Sequence, residues 1–152
     1  PLRQEKRWPE TIRDFSMYFL DTNIFLRVLA RDDDKSFGEC KNVLDGVKRG
    51  EIDGVTANLV LVEILWTLES YYGWDKKRVV RSLRSIVNLG GLRIIDGYNL
   101  DVALREYGAK GVKFVDAMIS SIEKIGAKEW IVVSYDRDFD KLGVVRKEPG
   151  EV

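Results

Sequence analysis

From Met17 onward, short unbroken apolar runs alternate with longer stretches in which apolar positions recur every three or four residues. The short runs have strand length and the longer ones helical periodicity. "MYFLD" (17–21) predicts a buried strand feeding the helix "TNIFLRVLA", with Thr22 or Asn23 suited to its first turn. "DDDKSFGECKNVLDGVKRG" predicts a capped helix that ends at Gly50. "DGVTAN" is a short strand leading into "LVLVEILWTLESYYG", a strongly apolar helix stopped by Gly73. There follow an amphipathic helix in "WDKKRVVRSLRSIVNLGG", a strand "LRIID", a helix "NLDVALREYG" and a helix "KFVDAMISSIEKIG". The strand "WIVVS", a turn "YDRDFDKLG" and a last short strand "VVR" complete the chain.

Strands that alternate with helices imply an α/β fold, a three-layer sandwich whose parallel sheet carries helices on both faces. Ligand sites in such sheets lie beyond the carboxyl ends of the strands. Residues 1–16 are polar and aperiodic and read as an appendage with no assigned role, leaving 17–152 as one domain.

Four acids stand out against this pattern. Asp21 closes the first strand, and Asp136 follows the strand "WIVVS". Glu63 is the only charge in "LVLVEILW" (59–66), a helix apolar nearly all round, so it is not expected to face water easily. Asp116 sits in "KFVDAMI" among Phe114, Val115, Ala117, Met118 and Ile119. An ionised carboxylate in apolar surroundings costs several kcal/mol or titrates at higher pH, and gathering several raises the penalty unless a cation joins them. Basic neighbours in sequence are few, chiefly Arg27, Lys110 and Lys113. An all-carboxylate site suits a hard divalent ion such as Mg2+ or Mn2+.

Each acid also has a plainer reading. Asp21 could cap a helix, Asp116 could answer a helix dipole, Asp136 and Asp138 could be turn residues, and Glu63 could belong to a buried ion pair. The constellation carries more weight than its members.

Composition narrows the chemistry. Among 152 residues there is no histidine, which excludes Ser-His-Asp and Cys-His mechanisms and zinc sites that use histidine. The single Cys40 cannot form an internal disulfide, which fits a reducing compartment. With 25 basic and 25 acidic residues the net charge is zero, so nucleic acid would have to be held by local basic patches. No apolar run reaches the roughly 18 residues that span a bilayer, and the N-terminal stretch lacks an apolar signal segment. A cytoplasmic protein without membrane partners is expected.

The segments "MYFLDTNIFLRVLARDD", "LVEILWTLESYYG" and "VKFVDAMISSIEKIGAKEWIVVSYDRDFDKLGV", in this order, resemble the PIN-domain family and its VapC-type toxin ribonucleases. The resemblance covers nearly the whole chain from Met17. It implies a five-stranded parallel sheet in the order 3-2-1-4-5 and a Mg2+- or Mn2+-dependent ribonuclease that leaves 5'-phosphate and 3'-hydroxyl ends. It further implies a homodimer silenced by a cognate antitoxin protein. The family's acids match Asp21, Glu63 and Asp116, and the Asn of its Asp-x-Asn motif matches Asn23. For the fourth acid "SYDRDFD" offers Asp136 and Asp138, with Asp136 nearer the strand end. Ser134 stands where a Thr is often found, and its hydroxyl could bind metal-bound water or phosphate. Asp21, Asp116 and Asp136 are then expected as direct ligands, and Glu63 as acting through a water or as general base.

RNA approaching an acidic hollow needs a basic rim, for which Arg27, Arg31, Lys110 and Lys113 are candidates. Lys77, Arg81 and Arg84 fall on one polar helix face, which reads as solvated or as a phosphate or partner contact. Trp66, Trp74 and Trp130 are expected in the core rather than as stacking platforms. Two other functions are weighed: a PIN-fold module that binds RNA or protein without cleaving it, and an α/β phosphohydrolase of the haloacid dehalogenase type. The latter wants a second acid where this chain has Asn23.

Overall fold

In the computed structural model, which describes residues 16–152, β1 (Met17–Leu20) runs up the middle of a five-stranded sheet. It pairs in parallel with β2 (Gly54–Ala57) on one side and β4 (Trp130–Val133) on the other. β3 (Arg93–Ile95) flanks β2 and β5 (Arg146–Lys147) flanks β4, giving the order 3-2-1-4-5 with every pair parallel. The central strands bury both faces, so they read as continuous apolar runs.

Helices fill the crossovers: α1 (Thr22–Ala30), α2 (Asp34–Lys48), α3 (Asn58–Ser70), α4 (Lys76–Val87), α5 (Leu100–Ala109), α6 (Phe114–Ser120), α7 (Glu123–Gly126) and α8 (Asp138–Lys141). Their ends follow local chemistry. Asp33, Asp75 and Asn99 accept a backbone N–H from the residue three further on, capping α2, α4 and α5. The core joins Phe19 and Leu20 of β1 to Ile24 and Phe25 of α1, Ile64 and Leu68 of α3, and Val132 and Val133 of β4.

Three expectations change. The single helix expected over "KFVDAMISSIEKIG" breaks into α6 and α7. The Ser121 hydroxyl donates to the Met118 carbonyl at 2.6 Å and accepts the Asn99 N–H at 3.0 Å, while Ile122 adopts extended backbone. The turn after β4 contains the short helix α8, and the last strand begins at Arg146 rather than at Val144. On α4, whose pattern predicts an apolar side of Val79, Val80, Leu83 and Val87, Val79 and Ile86 are the buried pair, whereas Val80 and Val87 face outward. The proposed appendage lies almost wholly outside the described residues. Among those described, no helix is long and apolar enough to cross a membrane.

Candidate metal-binding active site

The register of the sheet builds the site. Leu20 of β1 aligns with Val133 of β4, so the residues just beyond, Asp21 and Ser134, emerge side by side at the carboxyl ends. The Asp21 N–H donates to the Val133 carbonyl at 3.1 Å, continuing the ladder by one step. Ser134 Oγ donates to Asp21 Oδ2 at 2.6 Å. It accepts from Asn23 Nδ2 and from the Asp136 N–H, both at 3.0 Å. With one proton given and two accepted, this wholly buried hydroxyl has its bonding capacity filled. Ser134 therefore organises the loop, and is not free to take water or phosphate as the sequence reading allowed. Asn23 completes the clamp: its amide nitrogen also reaches Asp21 Oδ2 at 3.3 Å, and its carbonyl oxygen accepts the Tyr135 N–H at 3.3 Å.

Asp21, Glu63, Asp116 and Asp136 line one hollow of about 340 Å3, together with Asn23 and Lys113. The four acids are thus brought together from four separate elements. Asp116 reaches it from the first turn of α6 and Glu63 from the second turn of α3. Asp21 and Asp116 are only 3% and 2% exposed, and the side chain of Asp21 makes no helix-capping bond. Asp21 Oδ1 and Asp116 Oδ2 are buried without any hydrogen-bond partner. Burial, reinforced by Glu63 and Asp136 against the bond from Ser134, pushes the Asp21 carboxyl up to about 6. Burial and the nearby Asp21 and Asp136 push Asp116 up to about 8. Burial acts on Asp136 in the same sense, but the ammonium of Lys113, 2.6 Å from its Oδ2, holds it below the ordinary carboxylate value.

Asp138 is placed differently. One of its oxygens accepts the Lys113 N–H at 3.2 Å and the other meets Lys141 Nζ at 3.5 Å, so it fastens the start of α6. Its carboxylate still comes within 4.8 Å of oxygens from Asp116 and Asp136. That trio is the tightest acid group by spacing. The pair with unsatisfied oxygens, Asp21 and Asp116, is nevertheless the better measure of where positive charge is missing, because Asp138 already has its partners.

The sequence reading places Glu63 wrongly with respect to solvent. The helix that carries it is not buried all round: Val62, Leu65 and Trp66 are exposed, and Glu63 is half-buried at the hollow's edge. Trp66, at 67% exposure, is not a core residue, whereas Trp74 and Trp130 pack partly against the core. Trp66 and Thr67 line the hollow, and the sequence reading missed them. Their spacing of three and four from Glu63 places them on its helical face, a signal the sequence did contain.

Of the four basic candidates, only Lys113 lines the hollow. Lys110 pairs with Glu106 at 2.5 Å. Arg27 reaches Asp32 at 3.5 Å and lies 6.0 Å from the Tyr135 ring, while Arg31 stacks 4.2 Å from Phe37. A larger concavity of about 740 Å3 lies on α4 among Lys76, Lys77, Arg81 and Arg84, but it contains no carboxylate and is separate from the acids.

The residues fit a divalent cation. Two buried, unsatisfied carboxylate oxygens in one hollow form a hard all-oxygen donor set whose charge needs an external partner.

Sequence and fold comparisons identify the family. The PIN domain family matches residues 18–145. A VapC ribonuclease of Aquifex aeolicus is 27% identical over 136 residues, covering 89% of this chain and 98% of that protein. The structure of VapC20 from Mycobacterium tuberculosis, described as a sarcin-ricin loop cleaving toxin, superposes with a TM-score of 0.63 at 20% identity, covering 87% of this chain and 99% of that one. DNA-bound VapBC from Salmonella typhimurium gives a TM-score of 0.63 at 14% identity, over 88% and 98% of the two chains. The chain belongs to the PIN-domain family, and its resemblance within that family is to the VapC type.

Proposed function

We propose that the chain is a divalent-metal-dependent ribonuclease that acts in the cytoplasm as the toxin of a toxin-antitoxin pair. The observation that carries this reading is the pair of buried, unpartnered oxygens on Asp21 and Asp116 in a solvent-accessible acidic hollow. A protein needing these positions only for packing would gain by making them apolar. The printed activity of the Aquifex relative supports the substrate class.

In this reading Asp21 and Asp116 hold a Mg2+ or Mn2+ ion, with Glu63 and Asp136 at its margin and Asn23 and Ser134 fixing Asp21. Once bound, the ion supplies Lewis acidity toward water and neutralises charge on the phosphate. Asp136 serves as the fourth acid in preference to Asp138, because it lines the hollow with Asp21, Glu63 and Asp116 and Asp138 does not. Glu63, half-buried at the edge of the hollow, would accept a proton from the attacking water. Hydrolysis with the 3'-oxygen as leaving group gives 5'-phosphate and 3'-hydroxyl ends. Lys110 and Lys113 share a second, more open hollow with Asp138, which supports RNA approaching from that side. In this reading Arg27 and Arg31, engaged with Asp32 and Phe37, contribute less to RNA binding.

Partner surfaces fit the same reading. An apolar groove between α1, α2 and α4, lined by Phe25, Val28, Leu29, Leu44, Ile86 and Leu89, offers a seat for an antitoxin segment. Exposed Val62, Leu65 and Trp66 on α3 and Leu100, Leu104 and Tyr107 on α5 give apolar surface for a homodimer.

The decisive experiment incubates purified chain with RNA in Mn2+, Mg2+ or chelator, beside Asp116→Asn. Cleavage that needs the ion and fails in the variant is expected; cleavage indifferent to both would refute the reading.

A further inference from the structure

The hollow is lopsided. On one side, Asp21 Oδ1 and Asp116 Oδ2 are buried without a hydrogen-bond partner, and Lys113 acts on Asp116 only at longer range. On the other, Lys113 Nζ sits 2.6 Å from Asp136 Oδ2, supplied by the chain itself. This contact is held in place at both ends. The Asp138 carboxylate accepts the Lys113 backbone N–H at 3.2 Å, and Asp136 Oδ1 accepts the Asp138 N–H at 2.9 Å. Lysine and its acid are thereby linked through a third residue whose backbone and side chain are both used. Lys113 also lies just ahead of α6, three residues before Asp116, so the helix that delivers one acid delivers the cation for another.

We propose that Lys113 is a tethered monovalent cation occupying a second cation position at Asp136, so that the chain takes one divalent ion, at Asp21 and Asp116, instead of two. The inference rests on the metal-dependent reading above and adds the stoichiometry of the site. Two divalent ions on four carboxylates neutralise their charge in full; one divalent ion with a lysine leaves a single negative charge. An ammonium also carries charge without adding a second Lewis acid. Lys113 is thus a positioning residue that keeps Asp136 turned toward the helix start.

The test counts ions. Mn2+ titrated into the full chain, followed by electron paramagnetic resonance and calorimetry, is expected to saturate at one ion per chain. Lys113→Met should either admit a second ion or tighten the first by about tenfold, as loss of a neighbouring positive charge predicts. Lys113→Arg should stay at one. Because the Lys113 side chain is 66% exposed, neither replacement disturbs the core. Two ions bound to the unaltered chain, or one in Lys113→Met at unchanged affinity, would overturn the inference while leaving the metal-dependent reading intact. No binding to the unaltered chain would overturn both, and retained binding in Asp116→Asn would overturn the assignment of the ion to Asp21 and Asp116.

Discussion

Asp116 and Asp140 are both helical acids close to the carboxyl end of the sheet, and their surroundings could hardly differ more. Asp140 points outward and takes a two-pronged bond from Arg146, with Nε at 2.9 Å and Nη2 at 3.0 Å, which holds its carboxyl below the ordinary value. Asp116 is buried, has an unsatisfied oxygen and is pushed up to about 8. Electrostatics inside one small domain have been resolved locally at one acid and left open at the other. A buried polar group left without a partner is costly, and in a hollow such a group is a candidate for function.

The largest effect expected from this contrast is on activity. Asp116→Asn should lower metal-dependent RNA cleavage by at least about 100-fold, since it removes a proposed ligand and its charge. Asp140→Asn should leave it within about twofold. A gel-based assay of both variants at saturating Mn2+ distinguishes them, and equal losses would break the comparison.

Next in size is the pH dependence of stability without added metal, where the two acids have opposite signs. Asp21 and Asp116 titrate above their ordinary value of 3.8, so the folded chain holds their protons to higher pH than the unfolded chain does. The stability they give is fully present below about 4 and is lost as pH rises through about 6 and then about 8. Each unit of displacement is worth roughly 1.4 kcal/mol. Asp140, titrating below 3.8, contributes stability at higher pH that disappears as the solution is acidified through its lowered value. Melting temperature in chelator should therefore fall between pH 5 and pH 9, and saturating Mn2+ should remove most of the fall. Asp116→Asn should flatten the slope. A profile unchanged by that substitution would place the titration elsewhere.

A smaller loss is expected at the clamp. Ser134→Ala leaves Asn23 Nδ2 and the Asp136 N–H without their shared acceptor and removes the donor to Asp21, at a cost of about 1–3 kcal/mol. Urea unfolding in chelator measures it, and Ser134→Thr, which keeps the hydroxyl, separates this bond from the tightness of the site. Least of all, Asp140→Asn should cost about 1 kcal/mol or less, because this carboxylate is half exposed.

The fold was largely legible because its causes are local. A strand run such as "WIVVS", or an aspartate three residues before the N–H it caps, declares itself within a few positions. Asp21, Glu63 and Asp116 could be singled out for a related reason: a charge inside an apolar run stands out whatever lies around it. Asp136 and Asp138 were told apart only by nearness to the strand end, since they alternate in one short segment and their surroundings depend on Lys113 and Lys141. Arg27 and Arg31 looked available for the opposite reason, because Asp32 and Phe37 are unremarkable as sequence neighbours. Trp66 was misjudged by hydrophobicity alone, which cannot tell an apolar face turned to the core from one turned to solvent.

Pairing of the first strand with the fourth joins residues more than a hundred positions apart, as in the bond from Ser134 to Asp21. During synthesis, Asp21 leaves the ribosome long before the segment that steadies it has been made. A ribosome-bound intermediate stopped short of Trp130 can form neither this pairing nor the clamp around Asp21. Competence of the acid site therefore waits on a segment more than a hundred positions downstream of Asp21.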